Sequence, residues 1–141
     1  MATKIFLDTN VVIDFFDPVR NEHLNAIKLF ALVEKNEISG YVSESVLNTS
    51  VYILRKQFST TGLREILSDF LSIISILPCS VRSYLQSLKL AGNDIEDALL
   101  YQLALENDLD FFITENKKDF RKFSLSILPI ISLKEFLNIN G

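Results

Sequence analysis

The chain is short of the residues that would mark several function classes. It has one cysteine and one histidine. With Cys79 alone, no internal disulfide can form, and a reducing, cytoplasmic setting fits. A thiol nucleophile would need a base, and His23 falls in an expected surface helix. Cysteine chemistry and a Ser-His-Asp triad are therefore set aside, and Cys79 reads as a small core hydrophobe. No apolar run approaches the roughly 20 residues that cross a bilayer, so no membrane span is expected. Met1-Ala2-Thr3-Lys4 leads straight into a strand pattern, and no signal peptide is expected there. Repeats, low-complexity tracts and linkers are missing, so residues 1–141 read as one domain. An excess of positive charge is missing too, with 14 Lys and Arg against 18 Asp and Glu. That balance argues against a general nucleic-acid coating protein. It leaves room for an enzyme that gathers carboxylates around metal ions, because the ions reverse the local field.

What is present is an alternation of strand and helix patterns. Lys4-Ile5-Phe6-Leu7 is a short apolar run of the kind buried on both faces of a parallel sheet. Helices follow over 10–16, ended by Asp17-Pro18, and over 21–35, where Leu24, Ile27, Phe30 and Val33 recur at helical spacing. Gly40-Tyr41-Val42 is a second strand, and Ser43 caps a helix reaching about Phe58. A further helix runs from Thr60 through Phe70. Ile73 to Leu77 is a third strand, and Ser80 to Leu90 a helix with Gly92 as its C-cap. Asn93 and Glu96 have capping-box spacing and open a helix to about Asn107. Asp110 to Thr114 is a fourth strand. Leu125 to Ile131 is a fifth, which Pro129 confines to a sheet edge. Ser132 and Glu135 repeat the capping-box spacing before a last helix through Leu137. This order implies a mostly parallel five-stranded sheet between two helical layers, an α/β/α sandwich. Right-handed crossovers place the carboxyl ends of the strands along one edge, where open α/β sheets bind ligands.

Two acidic stretches meet that edge. Asp8 stands where the first strand ends, followed by Thr9 and Asn10. An unpaired carboxylate held between buried segments needs a partner, and a cation is one. A cap on the following helix is the other reading. In Asn93-Asp94-Ile95-Glu96-Asp97, the carboxylates of Asp94 and Asp97 share one helix face. They serve either as metal ligands or as first-turn acids that complement the helix dipole. Thr114-Glu115-Asn116 reaches the same edge. Hard divalent cations take oxygen ligands of this kind. The densest basic run is Lys117, Lys118, Arg121 and Lys122, with Arg55 and Lys56 a second pair; each reads either as a phosphate-facing surface or as a solvated helix face.

These residues carry a resemblance. Phe6-Leu7-Asp8-Thr9-Asn10, Asp97-Ala98-Leu99 with Ala104-Leu105, and Ile113-Thr114-Glu115-Asn116 with Asp119-Phe120 resemble, in this order, the PIN-domain family and its small VapC-type toxins. The resemblance spans essentially the whole chain and implies a PIN-like sandwich. It also implies a Mg²⁺- or Mn²⁺-dependent endoribonuclease, the toxin of a toxin–antitoxin pair. Carried over by residue, Asp8 matches the family's first acid and Asp97 its third. Asn116 falls at the fourth position, with Asp119 one turn on. Thr114 matches the strand-end hydroxyl, and Asp94 an extra acid of part of the family. Thr9 and Thr114 would position water or ligands, and Lys117, Lys118 or Arg121 would meet RNA phosphate. Homodimers and an antitoxin partner are implied as well, with Phe15, Phe16, Tyr52 and Phe58 as contacts or core.

One position departs from the family. Its second acid, a helix Glu, falls at Thr49, which carries no charge. Glu44 lies five residues earlier and, at about 100° per residue, points roughly 140° away. A PIN-like domain that binds RNA or a protein without hydrolysis is therefore the alternative. A haloacid-dehalogenase-like phosphatase would need an Asp where Asn10 stands. A receiver domain would need an acidic pair near the first strand and a phosphorylatable Asp on the third, which Pro78-Cys79 follows.

Overall fold

β1 (Thr3–Leu7) is the centre of the sheet because its last three residues are wholly apolar. Ile5, Phe6 and Leu7 are completely buried, covered from both faces. A computed structural model describes residues 2–90 and 94–140. Around β1 lie β2 (Ile38–Val42), β3 (Ile74–Ile76), β4 (Phe111–Ile113) and β5 (Ile130–Ile131), in the order β3-β2-β1-β4-β5. Every pairing is parallel, with Ile5 opposite both Gly40 and Phe111. The chain builds outward from β1 to β3, then crosses back to lay β4 on the other flank. The carboxyl ends of β1 and β4 therefore flank the point where the winding reverses, which opens a crevice in sheets of this kind.

The helices are α1 (Thr9–Phe16), α2 (His23–Glu34), α3 (Glu44–Leu54), α4 (Thr60–Leu71), α5 (Val81–Ser87), α6 (Ile95–Glu106), α7 (Lys117–Phe120) and α8 (Leu133–Asn140). Aromatic packing seals the sheet to both layers. Phe6 stacks on Phe112 with centroids 4.9 Å apart, and Phe112 meets Phe120 at 4.6 Å. Phe15, Phe30 and Phe70 form another cluster, with Phe15 stacked on Phe30 at 4.1 Å. Such pairs add about 0.5–1.5 kcal/mol each beyond the area they bury. The expected caps hold: the Ser43 hydroxyl accepts from Val46 N at 3.0 Å. Ser132 and Glu135 close a reciprocal box, Glu135 N donating to Ser132 Oγ at 3.1 Å and Ser132 N to Glu135 Oε1 at 3.0 Å.

Several boundaries differ from the sequence reading, each for a local reason. α3 stops at Leu54, and the chain turns through 55–58 before Ser59 caps α4. The fifth strand shrinks to Ile130–Ile131 because Leu125 and Leu128 form an isolated antiparallel bridge. The Tyr101 hydroxyl pins that bridge, donating to Leu128 O at 2.7 Å and accepting from Leu125 N at 2.8 Å. β5 is an edge strand as Pro129 demands, since only the proline carbonyl is used, accepting from Phe112 N at 2.9 Å. Cys79 is exposed and not a core residue. Gly92 and Asn93, the expected cap positions, lie outside the described residues. In the described chain Asp94 caps α6, its carboxylate accepting from Asp97 N at 3.1 Å.

Candidate functional site

The site is built on the turn from β1 into α1. Asp8 N donates to Ile113 O at 3.1 Å, which extends the β1–β4 ladder and sets the carboxylate at the crevice. Asp8 is only 7 % exposed, and its two oxygens have separate duties. Oδ1 accepts from Thr9 N at 2.8 Å and starts α1. Oδ2 accepts from the Thr114 hydroxyl at 2.8 Å and from Asn10 Nδ2 at 3.4 Å. The cap reading of Asp8 is therefore seen, in a carboxylate that also borders the cleft. Thr114 is completely buried, and its Oγ1 also accepts from Asn116 N at 3.0 Å. Asn10 ties the same corner from above, accepting from Glu115 N at 3.2 Å.

A cleft of about 290 Å³ opens over this corner. Asp8, Thr9, Asn10, Asp97, Asn116 and Asp119 line it, joining β1, α1, α6 and the start of α7. Ile13, Ile53 and Phe120 supply apolar wall. Of the sequence-derived set, Asp8, Asp97 and Asn116 are therefore brought together, with Thr114 beneath them. Asp94 is not among the lining residues. As the cap of α6 it lies outside the helix proper and is exposed, with its Oδ1 accepting from Asp97 N. The second-acid positions do not fill the gap. Glu44 is an exposed first-turn acid on α3 and Thr49 an exposed residue of the same helix; neither borders the cleft.

The electrostatics record the crowding. Burial pushes the Asp8 carboxyl up from its ordinary value, opposed by the Thr114 hydrogen bond and reinforced by the charge of Asp119. Asp97 is pushed up to about 7, first by burial, then by its contact with Asp94 and by the charges of Asp94, Asp8 and Asp119. Asp94 moves the other way, lowered chiefly by the Asp97 N–H it accepts. A carboxyl pushed up by neighbouring acids in one cleft is relieved by a cation. Among the described residues no three Asp, Glu, His or Cys side chains form a ready-made cage. The donor chemistry nonetheless suits a hard divalent ion, which needs one or two carboxylates and completes its shell with water and phosphate oxygens.

The basic run lies next door. Lys117, Lys118 and Arg121 border an adjoining hollow that shares Asn116 and Asp119 with the cleft. Lys117 is engaged there, donating to Glu135 at 2.7 Å. Sequence reasoning missed Arg20, which lines the cleft from the α1–α2 turn. Its six-residue separation from Asp14 is no helical pairing spacing, so no local pattern pointed to it.

Comparison with known proteins gives the family and the fold. The PIN domain family matches residues 4–118. Ribonuclease VapC1 of Aquifex aeolicus (strain VF5) is 25 % identical over 140 residues, covering 96 % of this chain and 94 % of the relative. Among solved structures, VapBC2 from Rickettsia felis bound to a DNA fragment from their promoter superposes with a TM-score of 0.67 at 19 % identity, over 92 % of this chain and 98 % of that one. A toxin–antitoxin complex from Klebsiella pneumoniae gives 0.66 at 21 % identity, over 88 % and 94 %. The strand order, the acidic cleft at the winding reversal and the family match converge: this chain belongs to the PIN domain family.

Proposed function

We propose that this chain is a divalent-cation-dependent endoribonuclease and the toxin of a toxin–antitoxin pair, with residues 1–141 forming one PIN-like domain. The observation that carries the reading is the convergence of Asp8 and Asp97, far apart in sequence, on one cleft where the charges of Asp8 and Asp119 help push the Asp97 carboxyl up. A relative named a ribonuclease and a neighbour described as a toxin–antitoxin complex support it.

In this reading Asp8 and Asp97 would hold Mg²⁺ or Mn²⁺, with Asn116 and Asp119 beside them in the cleft and Asp94 acting through Asp97. The bound ion supplies Lewis acidity and lowers the pKa of water. Thr114 fixes the Asp8 oxygen toward the cleft and holds the Asn116 backbone, so two site residues depend on one buried hydroxyl. Thr9 and Asn10 shape the rim. Lys118 and Arg121 sit where the flanking strand would leave the cleft and meet its phosphates.

The alternative, a PIN-like domain that binds RNA or a protein partner without hydrolysis, is favoured by one observation. No acid of α3 reaches the cleft, and Ile53 stands on that wall instead. Incubation with Mn²⁺ and a mixed RNA pool separates the two. Cleavage that EDTA and Asp97→Asn both abolish supports the nuclease, whereas RNA retention without cleavage at any Mn²⁺ concentration supports the alternative.

Partner surfaces follow from exposure. On α5, Val81, Tyr84 and Leu85, with Leu88 at its C-cap, recur at helical spacing and are all exposed, a face suited to a homodimer. Phe15, Phe16 and Phe58 line an apolar hollow of about 470 Å³ where an antitoxin segment would dock. Tyr52 stays on the surface beneath Arg55, 4.2 Å from its ring. No helix among the described residues is long and apolar enough to cross a membrane, and a cytoplasmic site of action fits the free thiol.

A further inference from the structure

Asp8, Asp97 and Asp119 would repel the phosphates of an entering strand, and the expected partner Lys117 is turned to Glu135. The cation that borders the cleft itself is Arg20. Its backbone is pinned in the turn after α1, with Arg20 N donating to Asp17 O at 3.1 Å and His23 N to Arg20 O at 3.1 Å. The Asp17 carboxylate accepts from Val19 N at 3.0 Å and stiffens the same turn.

Among the described residues the side chain is held from one end only. Arg20 Nε donates to Asp14 Oδ1 at 2.9 Å, in a pair whose aspartate is 5 % exposed and whose arginine is 42 % exposed. Asp14 is fixed in turn as part of α1, and its carbonyl contacts His23 Nδ1 at 2.8 Å. A guanidinium has five N–H donors, and the Nε bond uses one while fixing the plane. The terminal nitrogens remain for an oxyanion, the planar recognition that arginine performs best. The pair buries the acid and leaves the guanidinium at the surface. Arg20 also borders a second hollow, beside Glu22 and Glu115, so it stands on the ridge between two depressions.

We propose that Arg20 holds a phosphate of the RNA strand flanking the cleaved bond, and that Asp14 is a positioning residue that aims the guanidinium. This rests on the ribonuclease reading and extends it to a substrate contact on the α1 side of the cleft. The strand then runs from Arg20 over Asp8 and Asp97 toward Lys118 and Arg121.

The test measures binding of a labelled single-stranded RNA in EDTA across a salt series, alongside Mn²⁺-supported cleavage and thermal melting. Because Arg20→Ala strands a buried charge, the main variant is the uncharged pair Asp14→Asn with Arg20→Gln, with Arg20→Lys as the conservative partner. The expected result is a salt slope about 0.7 shallower for the uncharged pair, the loss of one single-strand phosphate contact. KM rises about tenfold, kcat stays within threefold, and melting is near wild type. Arg20→Lys keeps the wild-type slope and recovers part of the KM. Unchanged slope and KM in the uncharged pair, with wild-type cleavage intact, overturns the Arg20 assignment alone. Wild-type protein that neither cleaves nor retains RNA overturns the ribonuclease reading and this one together.

Discussion

The two acidic walls of the cleft are held in different ways. On the β1–β4 wall, Asp8 is 7 % exposed and each of its oxygens is already committed to a neighbour. On the α6 wall, Asp97 is half-buried, its backbone capped by Asp94, and it carries the largest share of the repulsion, at about 7. The first wall is fixed by the sheet whether or not a ligand is present. The second is fixed by a helix start, and its charge state depends on what enters the cleft. On the proposed reading, a pre-set acid facing a responsive one would let cation binding complete the site.

The sharpest way to break that contrast is to remove the responsive charge. If Asp97 is a direct ligand as proposed, Asp97→Asn is expected to lower Mn²⁺-supported cleavage more than 100-fold with little loss of fold, more than the roughly 10–100-fold effect of the groups behind a ligand. Single-turnover cleavage assays with melting curves check this. Next comes the support of the fixed wall. Thr114→Val removes the donor to Asp8 Oδ2 and the acceptor of Asn116 N, and a loss of about 10–100-fold is expected. Thr114→Ser, which keeps the hydroxyl, should recover most of it; equal loss in both variants would point to packing.

The third prediction concerns pH. A carboxyl whose folded pKa is above its unfolded value, near 3.9, binds its proton more tightly in the native state. Its contribution is complete below about pH 4 and is lost as pH rises toward 7. Metal-free wild type should therefore melt higher at pH 5 than at pH 8, and Asp97→Asn should narrow that difference. Mn²⁺ at pH 8 should raise the wild-type melting temperature more than the variant's. Equal pH dependence in the two proteins would deny Asp97 its raised pKa. The smallest effect is expected from Thr49→Glu. With Thr49 exposed and away from the cleft, metal affinity measured by calorimetry should change less than threefold. A tenfold gain would show that α3 turns toward the ion when one binds.

How much was legible in the sequence divides along similar lines. Asp8 could be placed because an unbroken apolar run has to be a buried strand, and the residue ending it has to reach the sheet edge. Asp97 followed from helical spacing and the βα order. The cap on α6 was harder, because Asn93 and Asp94 are both capable caps and adjacent, so spacing alone cannot decide between them. Leu125 to Leu128 has strand composition, yet its backbone answers to the hydroxyl of Tyr101, a partner no local pattern reveals. Lys117 was visible as a charge but not as the partner of Glu135. Arg20 was invisible because its role depends on which half of an ion pair the fold buries.

Tyr101 has one more consequence. It follows Asp97 by one turn of α6, on the same side of the helix. Its single oxygen gives one hydrogen bond and takes another across the same short bridge. Sliding α6 along its axis would break both together, so the depth to which Asp97 extends into the cleft is gauged by an aromatic ring that never touches the solvent.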